Sequence, residues 1–350
     1  MDFSRDKAKL ELENSLLPLI QEDFPSHSRV HPLRTFSSEM ITAYVKRDDE
    51  LGFGITGAKI RKYRSLIPFL LAQGIKEVVA IGGAHSNNIV GISQLLIEKG
   101  IKPTLFLRST VSPKLQGNAL LTSLLVKDSD IHWISRSEWA SVEAEALKYA
   151  TSKSSGGDKV FVLREGSSVS EALPGALTLA LDIIRNEEEG KIQFQDIFIE
   201  AGTGLTAISL ILAYAWLRKE CNIHVLLLAE EKEAFEKELA FFHHSFEELI
   251  QQSCTYPKKY TLHRPKNARS FGSVNSRIFQ EIITVARDEG ILIDPIYSGK
   301  LFIETKRILY ENPVQGNVLL IHSGGGLALS GYGEQLETYL TNTDLSERLV

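Results

Sequence analysis

The sequence predicts an α/β protein with parallel-rich sheets flanked by helices, and three observations predict it. From residue 59 to about 168, helical and strand patterns alternate, an order that lays strands parallel with helices on both faces. The strand patterns are short apolar runs, such as Val78-Val79-Ala80-Ile81 and Val160-Phe161-Val162-Leu163. Two glycine turns, Gly82-Gly83 and Gly202-Thr203-Gly204, lead from such runs into helical patterns.

Taken in order, residues 1–45 read as a helix of mixed polarity and then a connector punctuated by Pro25, Pro32 and Ser37-Ser38, with a short strand over 41–45. Gly52, Gly54 and Gly57 make a flexible approach to Lys59, in the stretch that opens at Thr56. A helix begins there, with Leu66, Ile67, Leu70 and Leu71 at helical spacing. Pro68 is expected to kink or shorten it, and Gly74 to end it. A strand at 78–81 comes next. Ser86 and Asn87 then suit a helix N-cap, and helix 89–99 runs to Gly100. Strand 103–107, helix 118–126, strand 132–134, helix 137–149, a polar loop over 152–158 and strand 160–163 follow. Gly166-Ser167-Ser168 reads as a hinge into a second α/β unit. That unit holds helix 171–186, an acidic loop at Glu187-Glu188-Glu189, strand 196–200, helix 205–219 and strand 224–229. Helix 230–251 is charged on one side, as a solvated face would be, and helix 277–289 ends at Gly290. The last strand, 317–322, runs into Ser323-Gly324-Gly325-Gly326, and no internal repeat is seen.

The totals narrow the class. A chain of 350 residues suggests two domains or one large α/β domain. Hydrophobic content of 43% and charged content of 24% are ordinary for a soluble globular protein. A net charge of -5 argues against nucleic acid as a partner. Cys221 and Cys254 give neither a disulfide framework nor metal spacing, so a reducing compartment and no metal are expected. The first twenty residues carry acidic groups throughout, unlike a signal peptide, and the longest mostly apolar run, 207–217, is too short to span a bilayer. A cytoplasmic protein without membrane contact is expected.

Two stretches carry chemistry. The strand–glycine–helix over 197–217 suits an anion, because glycines admit backbone N–H groups and the helix start adds a positive dipole end. The hydroxyls of Thr203 and Thr206 can donate as well. The same residues, Gly202-x-Gly204-x-x-Ala207, fit a dinucleotide fingerprint with Glu230 as a ribose partner, or a tight turn with no ligand. Lys59 becomes a nucleophile when desolvation or a nearby cation lowers its pKa, and Arg61, Lys62 and Arg64 are close in sequence. His85 reads as a structural histidine, and no Ser-His-Asp order stands out.

The combination carries further. Gly57-Ala58-Lys59-Ile60-Arg61-Lys62, Ile81-Gly82-Gly83-Ala84-His85-Ser86-Asn87, Gly202-Thr203-Gly204-Leu205-Thr206, Asp294-Pro295-Ile296-Tyr297-Ser298-Gly299-Lys300 and Ile321-His322-Ser323-Gly324-Gly325 occur in that order. Together they resemble the 1-aminocyclopropane-1-carboxylate deaminase and D-cysteine desulfhydrase family, over about residues 44–332. The resemblance implies a two-domain pyridoxal-phosphate enzyme of the tryptophan-synthase-β-like fold (fold type II). Residues 1–59 and 169–350 would form the larger domain, which holds the cofactor phosphate, and 60–168 a smaller inserted one. Lys59 would bind pyridoxal phosphate covalently, Asn87 its 3-hydroxyl oxygen, and Gly202, Thr203, Gly204, Leu205 and Thr206 its phosphate. Ser86 and Tyr297 would reach an amino-acid substrate from opposite sides, and Ser298 would face the pyridine nitrogen. A homodimer is implied in the same way.

Departures from the family pattern bear on the substrate. The family's Asn before the lysine is Ala58. Its Tyr-Gly-x-Pro-Asn segment reads Phe271-Gly272-Ser273-Val274-Asn275, and the glutamate that its deaminases carry after the second tyrosine is Ser298. Cyclopropane opening has no good leaving group and calls for a strong electron sink and placed tyrosine hydroxyls. Elimination of a β-substituent asks less. The expected activity is therefore α,β-elimination on D-cysteine or a related β-substituted D-amino acid, giving pyruvate and ammonia. The alternatives are 1-aminocyclopropane-1-carboxylate deamination, a cofactor-binding protein without turnover, and a dinucleotide-binding dehydrogenase.

Overall fold

The computed structural model describes residues 3–21, 23–54, 57–108, 115–157 and 159–347; Thr56 and Asp158 lie outside them. Helix α1 (Phe3–Leu16) is followed by strands β1 (Val30–Pro32) and β2 (Ile41–Lys46). Then come α2 (Lys59–Ala72), β3 (Glu77–Gly83), α3 (Asn87–Glu98), β4 (Lys102–Arg108), α4 (Gly117–Leu125), β5 (Ile131–Ile134), α5 (Val142–Ser154) and β6 (Val160–Leu163). The next run is α6 (Leu173–Gly190), β7 (Asp196–Ala201), α7 (Leu205–Trp216), β8 (Asn222–Leu227), α8 (Lys232–Ile250) and β9 (Tyr260–His263). The chain continues through α9 (Ser276–Glu289), α10 (Ser298–Glu311), β10 (Gly316–Ile321) and α11 (Gly333–Glu347).

These strands form two sheets. One has six strands in the order β1-β2-β10-β7-β8-β9, and the other has four in the order β5-β4-β3-β6. Every pairing is parallel except β1 with β2. The central strands are apolar on both faces because helices cover both; β7 is buried along its whole length. One hydrophobic core runs through both sheets, joining Val78 and Leu105 to Ile197, Leu210 and Ile321. Helices α2 and α6 meet closely: a Cβ on Gly175 would lie 2.0 Å from the Arg61 carbonyl oxygen.

The structure departs from expectation in three helices. Helix α2 runs through Pro68 to Ala72. A proline at that position cannot donate to the carbonyl of Arg64, and the Gln21 N–H takes that carbonyl instead at 2.9 Å. Arg64 Nε donates back to the Gln21 oxygen at 3.1 Å. The three glutamates expected in a loop belong to the last turns of α6, because Glu187 is drawn inward by Lys219 and by the Phe194 N–H at 3.0 Å. Helix α5 starts later than expected, since Ser135 and Glu138 close a separate turn ahead of it. It also runs to Ser154, into the stretch read as loop.

Candidate active site

Strands whose C-terminal ends face one crevice make a natural ligand site in α/β sheets. Here the C-terminal ends of β3, β7 and β10, with the start of α2, surround a cavity of about 720 Å3. It gathers Lys59, Ser86, Asn87, Tyr297 and every residue from Gly202 to Thr206, so nine of the ten residues predicted from sequence line it. Ser298 does not line it.

Lys59 is the first residue of α2. The turn before it is pinned to the end of β10: Ala58 N–H donates to the Ser323 oxygen at 2.8 Å, and Gly57 adopts φ +50. A Cβ on Gly57 would come within 2.3 Å of that same oxygen, so glycine is required there. Burial lowers the pKa of Lys59, against the opposing charges of Glu200 and Asp294. Its Nζ stands 5.8 Å from the centre of the Tyr297 ring. Of the three basic neighbours, Arg61 is neutralised by Asp48 and Asp182. Lys62 lies on the cavity wall, donating to Gly166 O at 3.1 Å, and burial beside Lys59 lowers its pKa to about 7.

From the other sheet, β3 delivers Ser86 and Asn87. Ser86 is the N-cap of α3, its Oγ accepting from the N–H groups of Asn88 and Ile89. Asn118 Nδ2 donates to Asn87 Oδ1 at 2.6 Å, so Asn87 presents its NH2 group as a donor. His85 also lines the cavity, and burial lowers its pKa.

The turn after β7 is an anion cradle. Gly204 is the N-cap of α7 at φ +92, and no side chain caps that helix. The first N–H groups of α7 are therefore open to a ligand at the positive end of the helix. A Cβ on Gly204 would point at Phe235 and Ile208 in the core, so the backbone angle, not clearance over the anion, demands glycine there. At Gly202 a Cβ would lie 3.3 Å from the Tyr297 ring.

Tyr297 is set by Asp294, whose carboxylate accepts from the N–H groups of Ile296, Tyr297 and Ser298 at 2.8, 2.8 and 2.9 Å. The Ser298 hydroxyl is closed into this loop, accepting from Asp294 N–H at 2.8 Å and donating to Asp294 Oδ2 at 2.7 Å. The Phe271 ring lies edge-on to Tyr297 at 5.9 Å.

Sequence reasoning missed Glu200, the last residue but one of β7, which lines the cavity and is 7% exposed. Ser323 donates to its Oε1, while Oε2 has no hydrogen-bond partner among the described residues. Burial pushes its pKa up to about 7. The available signal was an acid closing the apolar run Ile197-Phe198-Ile199. Elsewhere, His243, Glu247 and Cys254 come within 4.8 Å of one another. The imidazole turns Nε2 to Cys254 at 3.3 Å and Nδ1 to Glu247 at 3.9 Å, so these two groups do not converge on one nitrogen.

A desolvated lysine, an uncapped helix start and an unpaired buried acid suit a ligand with a carbonyl, a phosphate and a basic ring nitrogen, which is the donor set that pyridoxal phosphate needs. Solved structures share the fold. A crystal structure described as an ACC deaminase homologue superposes with a TM-score of 0.81 at 24% identity, covering 94% of this chain and 99% of that one. Threonine deaminase isoform 2 of Solanum lycopersicum does so with a TM-score of 0.59 at 13% identity, over 93% and 85%. The fold is that of fold type II, which these solved structures share. No protein-family model matches the chain. A bifunctional D-cysteine desulfhydrase/1-aminocyclopropane-1-carboxylate deaminase of Arabidopsis thaliana, described as mitochondrial, is 25% identical, covering 94% of this chain and 88% of its own. A D-cysteine desulfhydrase of Yersinia enterocolitica is 25% identical, over 84% and 89%. These two relatives carry the names of the 1-aminocyclopropane-1-carboxylate deaminase and D-cysteine desulfhydrase family that the sequence motifs resemble.

Proposed function

We propose that the protein is a pyridoxal-phosphate-dependent lyase that eliminates the β-substituent of D-cysteine or a related D-amino acid, giving pyruvate and ammonia. Bound at Lys59, the cofactor supplies the electron sink for negative charge at the substrate α-carbon. The open N–H groups at the start of α7, with Thr203 and Thr206, hold its phosphate. The Asn87 NH2 group holds its 3-hydroxyl oxygen. Ser86 lies beside the substrate carboxylate and Tyr297 closes the opposite wall. Lys59 Nζ, its pKa lowered by burial, takes the α-proton while the thiolate leaves.

The observation that carries the choice of substrate is Phe271 against Tyr297. Where family members place a tyrosine hydroxyl, this wall is apolar, and elimination of a good leaving group tolerates that better than cyclopropane opening. Tyr332, a second phenol on the cavity wall, is what favours the 1-aminocyclopropane-1-carboxylate reading instead. Assays of pyruvate from D-cysteine and of 2-oxobutanoate from the cyclopropane substrate separate the two. Turnover of the cyclopropane alone would overturn the D-cysteine reading. A purified protein with no visible cofactor band, and no label on Lys59 after borohydride, would overturn both.

Residues 1–59 and 169–350 are assigned to the larger domain and 60–168 to the smaller. That division is supported by the confinement of the four-stranded sheet to residues 77–163. Two free cysteines support a cytoplasmic setting, and among the described residues no helix is long and apolar enough to cross a membrane. A homodimer completes the assignment, on family resemblance.

A further inference from the structure

We propose that Glu200, not Ser298, faces the pyridine nitrogen of the bound cofactor and shares a proton with it through Oε2. The inference rests on the pyridoxal-phosphate reading of the cavity. It starts from the shape of that cofactor, whose nitrogen lies across the ring from the carbon that Lys59 would take. With the lysine at one edge and the phosphate at the start of α7, the nitrogen needs a partner of its own.

Ser298 is poorly placed to be that partner. It is fully buried and off the cavity wall, and its hydroxyl is already both donor and acceptor within the Asp294 loop. Glu200 has the opposite character. It stands at the end of β7, two residues before the glycine turn that would hold the phosphate, and lines the same cavity as Lys59. Ser323, from the end of the neighbouring strand β10, fixes one carboxyl oxygen and so aims the group. The second oxygen is left without a partner inside a side chain that is more than nine-tenths buried. An unmet buried acceptor is costly unless a ligand meets it. A ring N–H is a donor of the right charge and plane, and binding it would return the carboxyl to its ionised form. The two other carboxylates lining the cavity belong to a separate group: Glu165 responds to Arg108 and Glu230, whereas Glu200 responds to Lys59 and Asp294.

One consequence separates this from the reading taken from the motif alone. A carboxylate at the ring nitrogen restores the electron sink that Ser298 would not provide. The substrate choice then rests on the tyrosine wall.

The test is nitrogen NMR on protein stripped and reloaded with pyridoxal phosphate carrying 15N in its ring, with the visible band confirming loading. In the unmodified protein at pH 7.5 the ring nitrogen is expected at the protonated chemical shift. In Glu200→Gln it should move to the unprotonated position, and in Ser298→Ala it should stay. An unprotonated nitrogen in the unmodified protein overturns the proposal outright, so the test does not depend on a variant folding. A protonated nitrogen that persists in Glu200→Gln, or is lost in Ser298→Ala, also overturns it. If labelled cofactor fails to bind the unmodified protein, the pyridoxal-phosphate reading itself falls, an outcome distinct from binding with an unaltered shift.

Discussion

Asp182 holds together the charge cluster that anchors the helix bearing Lys59. Its carboxylate accepts from Lys46 Nζ, from Arg61 Nη2 and His27 Nδ1 at 2.7 Å each, and from Ser28 N–H at 3.1 Å. Asp48 takes Arg61 Nε at 2.7 Å and Ser28 Oγ at 2.6 Å. Lys46 is 0% exposed and Arg61 1%, so two cations and two carboxylates balance with almost no water. Burial alone would raise both carboxyl pKa values, but Arg61 and Lys46 hold them below the ordinary range. Asp182→Asn leaves two buried cations against one carboxylate, and breaking such a pair costs roughly 3–5 kcal/mol. With an unfolding entropy of about 2.1 cal/mol/K per residue, a chain of this length should lose roughly 4–7 °C in Tm. Thermal unfolding of the cofactor-free protein at pH 7.5, followed by circular dichroism, reads this directly. Removing the charges in balance, with Lys46→Met and Asp182→Leu together, should cost less than Asp182→Asn alone. A Tm unchanged in Asp182→Asn, or a double variant less stable than the single one, would refute the reasoning.

Two further outcomes follow from the cavity. Gly204→Ala places a Cβ where φ is +92 and Phe235 stands 3.2 Å away, so stability should fall by about 1–2 kcal/mol. The α7 turn should shift with it and weaken retention of pyridoxal phosphate, measured by fluorescence titration; unchanged affinity in the folded variant would count against the phosphate site. Glu200 in the cofactor-free protein gives the pH prediction. Its folded pKa of about 7 lies above the ordinary 4.5, so its contribution is fully present below pH 4.5 and lost as pH rises through 7. Glu200→Gln should therefore match the parent at acid pH and exceed it above pH 7 by about 3 kcal/mol. Denaturant midpoints at pH 4.5 and 8 check the sign, and a variant that is less stable at pH 8 contradicts it.

Residues that act through their own turn were legible in the sequence, and residues that act through a distant partner were not. Ser86 caps α3 through N–H groups two and three residues on, and Gly204 serves the turn in which it sits. A linear motif contains such facts. Glu200 takes its meaning from Ser323, 123 residues away, and reads locally as the polar end of a strand. Helix α10 was missed because its start lacks an ordinary cap, Tyr297 offering none; the Asp294 carboxylate gathers the preceding N–H groups instead. Strands β1 and β9 and helix α11 were also missed; the two strands, of three and four residues, are sheet edges that carry little pattern of their own.

The exchange between Gln21 and Arg64 bears on how the chain can be trimmed. A helix interrupted by proline normally leaves one carbonyl to solvent, but here Arg64 is 5% exposed and that carbonyl is held by a residue outside the helix. The Gln21 amide thus works as a detached rung of α2. Its exchange with deuterium should be as slow as that of the helix interior, although it lies in an irregular segment. An expression boundary drawn after Gln21 would remove α1 and this rung too, loosening the helix whose first residue is Lys59.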